Sequence, residues 1–127
     1  RAPLHPGGIP NLPDDVTREA YSHEVSSAGF WAGGGAVNFP AFYSYAYPSP
    51  PGFAAAKVSP QAAYFDKNLG EFLLPYDAVR RADDPEATLM AFLESTYRAA
   101  ADLAQWDAAA LECQIGIPGR PRPVSTS

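Results

Sequence analysis

Phe42-Tyr43-Ser44-Tyr45-Ala46-Tyr47 decides the fold. Successive side chains of a strand point to opposite faces, so the run places Tyr43, Tyr45 and Tyr47 on one face and Phe42, Ser44 and Ala46 on the other. Pro48-Ser49-Pro50-Pro51-Gly52 ends this strand, because proline cannot donate to a ladder. Downstream, Phe53 to Val58 and Ala62 to Asp66 read as further strands, and Lys67-Asn68-Leu69-Gly70 as a hairpin turn into Glu71-Phe72-Leu73-Leu74. Upstream, residues 21–26 supply one more.

The pattern changes after residue 84. Asp84 is an N-cap candidate, Pro85 suits the first helical position and Glu86 complements the helix dipole. Leu89, Leu93, Tyr97, Ala100, Leu103/Ala104 and Leu111 recur at steps of three and four, and no Gly or Pro interrupts residues 86–112, so one long helix is expected over 85–112. The expected architecture is α+β: a small, mostly antiparallel sheet from the 21–26, 42–47, 53–58 and 62–74 regions, covered on one face by helix 85–112. Residues 1–13, with four prolines and Gly7-Gly8, read as an arm, with a short helical turn after Asp14. The folded domain is expected over residues 14–112, and residues 113–127 read as a flexible tail.

Composition fits this division. The 127 residues suffice for one domain. Ala contributes 23 residues and Phe, Tyr and Trp together 16, against 19 for Leu, Ile, Val and Met, so the core is built of aromatics packed on small residues. Between Val25 and Phe65 the only charged side chain is Lys57, while ten aromatics fall between Phe30 and Phe65, which no solvated loop would carry. A net charge of −5 without a basic stripe argues against a nucleic-acid or anionic-membrane partner. The single cysteine, Cys113, closes no internal disulfide, and no apolar run is long enough for a membrane span, so a cytoplasmic protein is expected.

Ala20-Tyr21-Ser22-His23-Glu24, Gly29-Phe30-Trp31-Ala32-Gly33-Gly34, Phe42 to Pro48, Leu69-Gly70-Glu71-Phe72-Leu73-Leu74-Pro75-Tyr76-Asp77 and Ser95-Thr96-Tyr97-Arg98-Ala99-Ala100-Ala101 stand in that order. This series resembles the C-terminal part of an uncharacterised family of bacterial proteins, known only as a domain of unknown function, over roughly residues 2–112. The resemblance implies a fragment whose N-terminal half precedes Arg1. This chain departs from the family pattern at Ala32 (usually Pro), Asp77 (usually Glu) and Ala108, where an Arg usually follows Trp-Asp. The resemblance brings no activity with it.

His23-Glu24 is the most catalytic-looking pair, since imidazole titrates near neutrality and a carboxylate can orient it. Adjacent residues of a strand point apart, however, which argues against a dyad and for a hydrogen-bonded structural histidine. His5 and His23 with Glu24 or Glu71 form a weak metal set, and no cofactor motif is present. Gly33-Gly34-Gly35 lacks the spacing of a nucleotide loop and reads as a loop with positive φ angles. Arg80-Arg81 and Asp83-Asp84 read as a solvated charge cluster. Glu71, between Gly70 and Phe72, is the carboxylate expected to be drawn inside, with His23 or an arginine as its partner.

Two functions from different classes remain. In the first, the chain is non-catalytic and completes a larger fold or an oligomer through an aromatic surface, its partner being the missing N-terminal half or another copy. In the second, it forms a small-molecule enzyme or ligand site, with His23 and Glu71 catalytic and Tyr21, Trp31 and Tyr45 holding the ligand.

Overall fold

The computed structural model describes residues 2–4, 22–113 and 116–121. The expected helical turn after Asp14, His5, Tyr21 and most of the N-terminal arm lie outside the described residues. Four strands form one antiparallel sheet in the order β1 (Val25–Trp31), β2 (Ala41–Tyr47), β4 (Glu71–Pro75), β3 (Tyr64–Asp66). α1 (Tyr76–Arg80) follows β4 directly, α2 (Pro85–Leu103) packs on the sheet, and α3 (Ala108–Leu111) is one further turn. The α+β expectation holds: α2 covers one face of the sheet. Among the described residues no helix is long and apolar enough to cross a membrane.

The alternation in β2 sets the layers. Phe42, Ser44 and Ala46 share the helix-facing side with Leu74 and Phe72, since Phe42 pairs with Leu74 and Ser44 with Phe72. Above them α2 presents Phe92, Thr96 and Ala100, one residue per turn and each buried. Ser44, Ala46 and Ala100 keep the contact surfaces small, and large aromatics fill the space beside them. Phe53 and Phe72 lie 5.0 Å apart centroid to centroid, and Phe65 meets Phe72 edge to face at 5.1 Å. The Thr96 hydroxyl, wholly buried, donates to the Phe92 carbonyl at 2.9 Å, so its burial leaves no donor unsatisfied.

Three expectations about elements need correction. Phe53 to Val58 is not a strand: Phe53–Ala55 is a single 3-10 turn whose Phe53 ring plugs the core. The prolines before it and the left-handed Gly52 aim the chain inward rather than along the sheet. The first strand begins at Val25, with Ser22, His23 and Glu24 outside it, and runs on through Gly29-Phe30-Trp31.

The long helix stops at Leu103. Gln105 takes a φ of 58°, and the Trp106 amide closes back on the Ala101 carbonyl at 2.9 Å. Asp107 then caps α3 by accepting from the Ala110 amide. The helix is therefore 19 residues and roughly 28 Å long, not the full 85–112 span. Its buried stripe runs through Phe92, Thr96 and Ala100, with Leu89 and Leu93 at its margin, and Leu103 is exposed.

Local signals elsewhere agree with the sequence reading. Asp84 accepts from the Ala87 amide at 3.0 Å, with Pro85 at the first helical position. The Lys67 to Gly70 turn is held by Asp66, whose Oδ1 accepts from the Asn68 and Leu69 amides. Arg80 and Arg81 pair with Asp77 rather than with Asp83 or Asp84, and these exposed pairs contribute little to stability. The Arg80 hydrogen bond and the two guanidinium charges hold the Asp77 carboxyl below its usual range.

Candidate functional site

The sheet face away from α2 carries Tyr43 and Tyr45 from β2, Leu73 and Glu71 from β4, and Trp31 from β1. No described helix covers it. Tyr43 and Tyr45 stack with their ring planes 16° apart and centroids at 6.2 Å. The chain after β1 folds over one end of this face. Gly33, Gly34 and Gly35 all have positive φ angles, which turn the chain within three residues, and a Cβ on Gly33 would press on the Phe39 backbone at 3.1 Å. The Gly34 amide donates to the Val37 carbonyl, and the Trp31 indole Nε1 donates to the same carbonyl at 2.9 Å. That shared acceptor fixes the indole beside the loop.

Between loop and sheet lies a cleft of about 350 Å³, lined by Trp31, Val37, Tyr43, Tyr45, Leu73 and Glu71, with Leu69 at its edge. Its walls are mainly apolar. Trp31 is 46% exposed and Leu69 45%, so the cleft opens directly to solvent.

Glu71 is half-buried and pairs across the hairpin with Asp66. Burial first, and the neighbouring Asp66 carboxylate second, raise its carboxyl above the ordinary range. The described arginine pairs are made elsewhere, Arg80 and Arg81 with Asp77 and Arg98 with Glu112. Among the described residues no side chain donates to Glu71, and the partner expected from His23 or an arginine is not supplied.

Of the residues singled out from sequence, Trp31, Tyr45 and Glu71 meet in this cleft, and Tyr21 lies outside the described residues. His23 does not reach it. It precedes Val25, which pairs with Tyr47 at the end of β1 opposite Trp31, and stands about 13 Å along the strand from Ser27, the partner of Tyr45. There the Nδ1 atom of His23 is 2.9 Å from the Ser22 hydroxyl, and Leu4 bridges to it through the backbone. Glu24 points to the helix side, where its Oε1 accepts from the Trp106 indole at 3.0 Å. His23 and Glu24 thus serve opposite sides of the chain.

Sequence reasoning missed Leu73 and Val37 as lining residues. Leu73 was within reach, since it pairs directly with Tyr43. Val37 carries no such signal, because its place depends on the three left-handed glycines before it. Among the described residues no group of three His, Cys, Asp or Glu is arranged to hold a metal ion. Cys113 is exposed and unpaired.

No curated protein and no solved structure matches this chain. A family model does match, over residues 1–113, and takes in every strand, the long helix and all residues of the cleft. With that span of the chain covered, the protein belongs to DUF5996, a family of unknown function.

Proposed function

We propose that this chain is a non-catalytic binding domain whose contact surface is the helix-free face of its sheet, and that it joins there to a second polypeptide unit, another part of a larger fold or another copy of itself. The carrying observation is the asymmetry of the two layers. One face of the sheet is packed by α2, while the other carries Trp31 and the Tyr43–Tyr45 stack with only the 32–40 loop folded over one end and, among the described residues, no helix across it. A sheet face that is apolar and rich in Tyr and Trp has the composition of an interface core. His23, the one imidazole in the described chain, stands away from the cleft, so the face offers contact area rather than an acid–base pair. A cytoplasmic setting, read from the single unpaired cysteine, belongs to the same proposal.

Light scattering on the eluting protein tests the reading. The mass of the wild-type chain is expected to rise with concentration, and Tyr45→Ser to lower that rise while keeping the helical signal. A compact monomer at every concentration, unchanged by the variant, contradicts it. The concave shape of the cleft and its carboxylate favour a second reading, a small-molecule binding site lined by Trp31, Tyr45 and Glu71. In that case added ligand, not protein concentration, would change the protein's behaviour.

A further inference from the structure

We propose that the cleft receives an arginine side chain of the partner polypeptide, its guanidinium meeting the Glu71 carboxylate and its plane lying against the aromatic wall of Trp31, Tyr43 and Tyr45. The inference rests on the interface reading above and assigns the chemistry of what docks there.

Charge complementarity argues for it. Glu71 lines a mainly apolar cleft, pairs across the hairpin with a second carboxylate, and meets no cation among the described residues. Asp66 is already engaged, since its Oδ1 accepts two amides of the turn, so Glu71 is the acceptor left open to an incoming group. A partly desolvated carboxylate with no side-chain donor among the described residues gains from a cation that arrives with its own donors.

The walls narrow the choice of cation. Indole and phenol rings attract cations over their faces, and a guanidinium both stacks on such rings and donates to a carboxylate in one plane, which an ammonium cannot do. The size and openness of the cleft point to a side chain rather than a free metabolite. About 350 Å³ is near the lower end for ligand pockets, and the exposed Trp31 and Leu69 at its rim leave one side for a main chain to enter.

The test is a titration of the full chain followed by amide and indole resonances, with N-acetyl-arginine amide as probe and N-acetyl-citrulline amide, its uncharged isostere, as control. The arginine probe is expected to shift the Trp31 indole and the amides of Tyr45 and Leu73, with citrulline binding about tenfold more weakly, the worth of one charge-assisted hydrogen bond. Glu71→Gln is expected to bring the arginine probe down to the citrulline level, and its own spectrum reports whether it is folded. Arginine and citrulline binding alike, or shifts confined to residues outside the cleft, would overturn the proposal. A null probe result alongside concentration-dependent association removes this inference and leaves the interface reading standing. Arginine-selective binding in a strictly monomeric protein overturns the docking assignment and the interface reading together, in favour of a small guanidinium ligand.

Discussion

The Tyr43 ring lies over the backbone of Gly29, its partner on the neighbouring strand: a Cβ built on Gly29 would fall 2.5 Å from the Tyr43 hydroxyl oxygen and 2.7 Å from Cζ. Glycine is needed here for space, and the ring in turn covers the bare strand. Tyr43 is thereby laid flat, and its stack with Tyr45 forms the wall of the cleft. Gly29→Ala is expected to displace Tyr43, lower stability by about 1–2 kcal/mol and loosen the Tyr43–Tyr45 stack. Denaturant midpoints and the near-ultraviolet tyrosine signal check both effects. An unchanged signal would contradict this account of the wall.

Glu71 should cost stability at neutral pH. Its carboxyl is raised in the fold by burial and by Asp66, so the folded state favours the protonated form. The sign follows from linkage: stability is greatest below the ordinary carboxylate range and falls as pH rises through the raised value. Glu71→Gln is therefore expected to melt above wild type at pH 7, with the difference shrinking as the pH falls. A variant less stable than wild type at pH 7 would show that Glu71 has a donor.

The bond from Trp106 to Glu24 ties the chain after α2 to the start of β1 across 82 positions. Trp106→Phe removes the donor and leaves a part-buried carboxylate unpaired, with an expected loss of about 1.5–3 kcal/mol in denaturant unfolding. Glu24→Gln keeps an acceptor and is expected to lose less. The reverse order would contradict the assignment.

Asp84→Ala removes the N-cap of α2 and is expected to cost about 1 kcal/mol, with the sheet-face residues undisturbed. Melting temperature and the Trp31 indole resonance separate the two effects. Phe92→Ala, which empties the centre of the core, is expected to cost about 3–5 kcal/mol.

Period-2 alternation carried most of the readable fold. It placed Tyr43 and Tyr45 opposite Ser44 and Ala46, and the pairing of β2 with β4 then brings Leu73 and Glu71 beside them, so half of the cleft follows from local rules. Period-3.6 spacing likewise found α2, but not its end. Residues 104–107 contain no Gly or Pro, and the break there depends on Trp106 reaching Glu24, a tertiary contact that no local signal encodes. Phe53 looked like a strand residue because β-sheets and aromatic cores want the same side chains. His23 and Glu24 make no dyad, as extended backbone implies for adjacent residues: just before β1 the imidazole meets Ser22 while the carboxylate meets Trp106. The site is thus legible where it is made of strands and illegible where the glycine loop at residues 33–35 folds over it.

Covalent footprinting of side chains in dilute and in associated protein tests the central claim most directly. Trp31 and Tyr45 are expected to be labelled when dilute and protected on association, while Met90, 45% exposed on α2, is labelled equally in both. Protection of Met90 with Trp31 and Tyr45 still labelled would place the contact on the helical layer and contradict the claim that the open sheet face is the binding surface.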